Sequence, residues 1–136
     1  MTQPALPDSD APGQAGPHPF DAAIRLSPLG DGRFAGRTTD AYRNMVGPYG
    51  GITAAVMLQA LLQRPERLGD PVALTVNYAG PVREGEFEIA TREIRTSRST
   101  QHWFAELVQG PEREVSTTAT AVFGTRRETW AHVEAR

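Results

Sequence analysis

Apolar positions along the chain change their period once, and that change marks out the elements. From Tyr49 to Gln63, apolar side chains at Ile52, Ala54, Ala55, Val56, Met57, Leu58, Ala60, Leu61 and Leu62 are interrupted only by Thr53, Gln59 and Gln63. A helix apolar around most of its girth must be enclosed by other structure. At 1.5 Å per residue it measures about 22 Å, too short to span a bilayer. Arg64-Pro65 ends it, because proline pushes the preceding residue out of helical geometry. At its start, Pro48-Tyr49-Gly50-Gly51 offers no Ser, Thr, Asp or Asn as a cap. The two glycines leave the first N–H groups bare and open to close approach. Such a terminus can meet a developing negative charge. Equally, it can be a tight turn that simply needs glycine.

After the helix the period becomes two. Val72, Leu74, Val76 and Tyr78 share one face, with Ala73, Thr75, Asn77 and Ala79 on the other. In Glu86–Thr96, Phe87 and Ile89 point inward while Glu86, Glu88 and Arg92 point outward. Thr100–Gln109 sets Trp103, Ala105 and Leu107 against His102, Phe104, Glu106 and Val108. Glu114–Phe123 sets Val115, Ala119, Ala121 and Phe123 against Ser116, Thr118, Thr120 and Val122. The links Gly80–Gly85, Ser97–Ser99 and Gly110–Arg113 are short, which predicts antiparallel neighbours in sequence order. Ahead of the helix, Phe20–Leu26 alternates as a strand, and Asp31-Gly32 signals a hairpin with Arg33–Thr38 as partner. A loop from Thr39 to Pro48 leads to the helix. The predicted fold is α+β, an antiparallel sheet wrapped around one long central helix. One sheet covers one side of a helix, so apolar residues on both sides predict a partner surface, either a second copy or a second domain.

The ends differ from this middle. Residues 1–19 hold Pro4, Pro7, Pro12, Pro17 and Pro19 with almost no large apolar side chain, the composition of a disordered tail. That leaves 20–127 as a single domain and 128–136 as a C-terminal tail or the start of a linker. The length, 136 residues, suits one domain. Net charge is −2, all 14 basic residues are arginine, and no basic cluster appears, which argues against a nucleic-acid partner. The absence of cysteine excludes a thiol nucleophile, a disulfide framework and a thiolate metal site. No histidine–carboxylate spacing suggests a metal. The first residues lead into no charged and then apolar leader, so the expectation is a cytoplasmic protein without a membrane partner.

A strand pair, a glycine-started apolar helix and four antiparallel strands follow the order of the hotdog fold. Three stretches carry a closer likeness: Gly47-Pro48-Tyr49-Gly50-Gly51-Ile52-Thr53-Ala54-Ala55, Val72-Ala73-Leu74-Thr75-Val76-Asn77-Tyr78-Ala79-Gly80-Pro81-Val82 and Arg98-Ser99-Thr100-Gln101-His102-Trp103. In order and spacing they resemble the amino-terminal hotdog unit of acyl-CoA thioesterase II-like proteins, over roughly residues 20–130. The resemblance implies hydrolysis of an acyl-CoA thioester, with CoA part of the substrate and no separate cofactor. It also implies a second hotdog unit, from a homodimer or from a tandem half.

The resemblance and the bare helix start together nominate site residues. Gly51 is the candidate oxyanion donor through its backbone N–H. Asn44 lies in a stretch similar to the Asn-Gly-His-Gly-Gly loop of another hotdog thioesterase branch, and it can orient water or the thioester. Tyr49 stands where that loop has histidine, and with Gly50 it is expected to touch substrate. The general base is missing from its family positions. Leu58-Gln59 occupies the acidic position of the other branch, and the strand Val72–Tyr78 has Asn77 and Thr75 but no carboxylate. A neutral amide cannot be the base, though it can hold water for one, so Gln59 enters the catalytic set in that sense. Asn77, Ser99, Thr100 and Gln101 are candidates for substrate contact, and Arg43, Arg83, Arg95 and Arg98 for CoA phosphates. Each has an ordinary alternative as a turn, packing or surface residue. The missing carboxylate keeps open a non-catalytic acyl-CoA-binding or structural unit. A hotdog hydratase is disfavoured, because Asp40 has no histidine near it.

Overall fold

The computed structural model describes residues 18–42 and 50–126. The expectations for both tails and for the loop carrying Arg43, Asn44 and Tyr49 lie outside the described residues. The elements are α1 (Pro19–Ala23), β1 (Ser27–Gly30), β2 (Arg33–Arg37), a 3-10 turn (Asp40–Tyr42), α2 (Gly50–Leu62), β3 (Asp70–Tyr78), β4 (Glu86–Thr96), β5 (Thr100–Gln109) and β6 (Glu114–Gly124). The six strands form one antiparallel sheet in the order β1-β2-β4-β5-β6-β3. The predicted α+β arrangement, a sheet wrapped on one central helix, is the observed one.

Three local expectations are corrected. Phe20–Leu26 is not a strand: Pro19 fixes a helical φ at the first position, and His18 Nδ1 accepts from the Phe20 N–H at 3.1 Å. The short helix buries Ala23 and sets Phe20 edge-on to Tyr42, with ring centroids 6.3 Å apart. The hairpin strand before Asp31-Gly32 is instead Ser27–Gly30, paired with β2. Secondly, β3 does not lie beside β4. It pairs with β6, Leu74 opposite Ala121 and Tyr78 opposite Thr117, at the far edge of the sheet. Seven link residues reach about 23 Å, whereas crossing the two strands between takes about 14 Å, so a short link does not force a hairpin. Two contacts anchor the crossing. The N–H groups of Ala79 and Gly80 both donate to Ser116 O at 2.9 Å, and the Gln109 amide pairs with the backbone of Arg83. Thirdly, a register shift between Leu107 and Val108 changes the phase of β6, turning Val115 outward and burying Ser116 and Thr117.

The helix presents Ile52, Thr53, Val56, Met57, Ala60 and Leu61 to the sheet, a stripe with the i, i+4 spacing of one helical face. Against it lie Ile89, Trp103, Ala105, Leu107, Ala119, Ala121 and Phe123. Full burial of each large side chain here contributes about 1.5–3 kcal/mol. The opposite strip, Ala54, Ala55, Leu58, Gln59 and Leu62, is only half-buried, so one chain encloses one flank of the helix rather than its whole girth. The edge strand β3 matches it: Val72 is 72% exposed and Tyr78 55%, with Leu74 and Val76 partly buried.

Candidate active site at the start of the central helix

The inward phase of β3 runs through Leu74 and Val76 to Tyr78 and ends at the first turn of α2. There the Tyr78 hydroxyl donates to the carbonyl oxygen of Gly50 at 2.5 Å. A Cβ at Gly50 would stand 3.4 Å from the Tyr78 ring, so the aromatic lies directly over the helix start. Gly51, the next residue, is exposed. Its N–H is among the first four of the helix, which have no partner inside it. No acidic side chain occupies the first turn to offset the positive end of the helix dipole. The arrangement can polarise a carbonyl placed against it.

Other predicted residues are not gathered at this point. Asn77 precedes Tyr78 on β3 and therefore points to the opposite face of the sheet, where it is exposed. Gln59 sits two turns further along α2, half-buried on the strip that the sheet does not cover. Ser99, Thr100 and Gln101 lie at the other end of the helix, about 20 Å away at 1.5 Å per residue. Thr125 N–H donates to Ser99 O at 3.1 Å there, and Thr100 is exposed.

Gln101 is a structural residue within this chain, 1% exposed with its amide fully engaged. Its oxygen accepts from Trp103 Nε1 at 2.7 Å and from Leu68 N at 2.8 Å. Its nitrogen donates to Thr96 Oγ1 at 2.9 Å and to Glu66 O at 3.0 Å. Arg64 closes the same end. It stacks 5.0 Å over the Trp103 ring and donates to Thr91 Oγ1 at 2.9 Å and Glu66 Oε2 at 3.2 Å. A hydrogen bond to backbone, then Arg64, holds the Glu66 carboxyl below the usual carboxylate range. Of the arginines nominated for phosphate contact, Arg83 lies 3.9 Å from Glu114, while Arg95 and Arg98 are exposed near the Ser99 turn. Among the described residues no group of three His, Asp or Glu side chains is placed to hold a metal ion, and no helix is long and apolar enough to cross a membrane.

Tyr78 is the residue at the helix start that sequence reasoning passed over. Its signal was present, an aromatic hydroxyl closing an inward alternation. What the sequence lacked was the sheet order that brings the end of β3 to Gly50.

The matching proteins agree with this architecture. The profile of the acyl-CoA thioesterase N-terminal domain matches residues 39–124. A conserved protein of unknown function with a hotdog fold from Alicyclobacillus acidocaldarius is 53% identical with a TM-score of 0.80, over 89% of this chain and 45% of that one. Acyl-CoA thioesterase II TesB2 of Mycobacterium marinum shares the fold at 16% identity and a TM-score of 0.68, over 86% of this chain and 43% of its own. A phenylacetic acid degradation protein, PaaI, of Thermus thermophilus shares it at 20% identity and a TM-score of 0.66, over 80% of this chain and 100% of its own. No curated protein sequence matches. The chain thus spans less than half the length of the Alicyclobacillus and Mycobacterium proteins. With its profile match covering more than half of its residues, the chain belongs to the acyl-CoA thioesterase family as a hotdog unit of the amino-terminal kind.

Proposed function

We propose that this chain is one hotdog unit of an acyl-CoA thioesterase, hydrolysing an acyl-CoA to the free acid and CoA. The observation that carries the reading is the glycine-started helix, in which Gly51 is exposed and the first turn holds no acidic side chain, an end suited to a thioester oxygen. Water adds to the thioester carbonyl carbon, and the oxygen takes up negative charge against Gly51. Collapse then breaks the carbon–sulfur bond, and CoA leaves as a thiol after protonation. Asn44 orients the water, Tyr49 and Gly50 line the approach, Gln59 serves a site only by reaching across to a second unit, and CoA enters as substrate with no separate cofactor.

The base comes from a second unit, a homodimer partner or a tandem half. Length supports this, since the chain covers 45% of its 53%-identical neighbour. Two units pairing with antiparallel helices would set Ser99 and Thr100 of one near the helix start of the other, with Gln101 holding that end in place from beneath. Asn77, on the outward face, would then meet substrate only through such an assembly.

A second reading, a unit that binds acyl-CoA or completes the partner's fold without hydrolysing anything, is favoured by the lack of a carboxylate on the strand Val72–Tyr78. Release of free thiol from a panel of acyl-CoAs by the purified chain separates the two. Turnover above background supports the enzyme. Binding without turnover at any acyl length supports the second reading.

A further inference from the structure

Gly50 and Gly51 share one peptide group, in which the carbonyl belongs to Gly50 and the N–H to Gly51. That unit is planar, so whatever fixes its C=O also fixes the direction of its N–H. The Tyr78 hydroxyl donates to the Gly50 oxygen at 2.5 Å. It therefore holds, from the far side, the same group that carries the candidate oxyanion donor.

Tyr78 is itself held. Its backbone pairs with Thr117 across β3 and β6, and the next two N–H groups, of Ala79 and Gly80, donate to Ser116 O at 2.9 Å. Gly50 puts no side chain between the ring and the helix, where a Cβ would lie 3.4 Å from the Tyr78 hydroxyl oxygen. Two successive glycines give the helix a soft first turn, and the sheet reaches across to pin it. The bond also acts electronically. A hydrogen bond accepted at an amide oxygen favours the charge-separated resonance form and makes the N–H of that amide a stronger donor.

We propose that Tyr78 is a positioning residue of the hydrolytic site: its hydroxyl sets the plane of the Gly50–Gly51 peptide and strengthens the Gly51 N–H toward the thioester oxygen. This rests on the thioester reading above. Tyr78 touches no reacting atom and transfers no proton; it acts through the peptide alone.

The test is a double-variant cycle in steady-state acyl-CoA hydrolysis by the full chain, with the parent, Tyr78→Phe, Gly51→Pro and the two combined. One oxyanion donor is worth about 10²–10³ in kcat, and a polarising bond adds about 10–30% to its strength. Tyr78→Phe should therefore lower kcat roughly two- to eightfold, with KM and circular dichroism unchanged. In the Gly51→Pro background it should do nothing, because the N–H it acts on is gone. A second readout covers the case in which Gly51→Pro fails to fold: the amide nitrogen resonance of Gly51 should move upfield in Tyr78→Phe. An unchanged kcat, a loss of equal size in both backgrounds, or an unmoved Gly51 resonance would overturn the role of Tyr78 and leave the thioester reading intact. Full activity in Gly51→Pro, or no turnover of any acyl-CoA by the parent, would overturn both.

Discussion

Gln101 and Trp103 point the same way from β5, and the indole N–H of Trp103 donates to the Gln101 side-chain oxygen at 2.7 Å. That one amide also holds the turn after the helix at Glu66 and Leu68. Gln109, at the other end of the same strand, does the equivalent for the β3–β4 crossing, accepting from Arg83 N and donating to Arg83 O and Glu86 O. Both links that enter and leave β3 are therefore tied to β5 by buried glutamines.

Gln101→Ala should cost roughly 2–3 kcal/mol, because it leaves buried donors and acceptors without partners. Urea unfolding at an unchanged m-value is the measurement. A loss below about 0.5 kcal/mol would mean that water replaces the amide and the site is more open than described.

The fold was largely legible in the sequence, and the site much less so. Period-two alternation located β4 and β5 to the residue, because each strand has one face on the core. It misplaced Val115, since a one-residue register shift in β6 leaves no trace in composition. The Phe20 run was misread because five residues are too few to separate the two periods, and Pro19 with His18 decides the matter locally. Gln101 looked like a site residue because a polar side chain at a strand start has two explanations. Only its four hydrogen bonds favour the structural one.

Gly51→Pro removes the proposed donor while keeping a residue that helices accept in their first turn. A fall in kcat of about 10²–10³ is expected, with circular dichroism unchanged. Gly51→Ala keeps the N–H and should retain most activity. Equal rates for the proline variant and the parent would remove Gly51 from the mechanism.

Leu58→Arg places a charge on the half-buried strip of α2, away from the sheet. If this strip faces a second unit, the variant should sediment as a smaller species than the parent while keeping its helix content. An unchanged sedimentation coefficient would mean that the units meet elsewhere.

Arg64 and Thr91 form a coupled pair. The guanidinium donates to the threonine hydroxyl at 2.9 Å, and that hydroxyl donates onward to Gly32 O at 2.6 Å. Each of Arg64→Ala and Thr91→Val should destabilise by about 1–2 kcal/mol. The double variant should fall short of their sum by roughly 0.5–1 kcal/mol. Strict additivity in thermal melts would show that the two act independently.

The position of β3 at the outer edge has a consequence for how the chain matures. Among the described residues its one neighbour in the sheet is β6, so Tyr78 waits for Thr117 and Asp70 for Gly124. During synthesis the helix can pack on β4 and β5 as they emerge, yet the strand that follows it stays unpaired until β6 leaves the ribosome. Long-range pairing of this sort slows folding and leaves sticky surface on view. A chain stopped before Glu114 is thus expected to engage chaperones or aggregate, with no half-built intermediate able to stand alone.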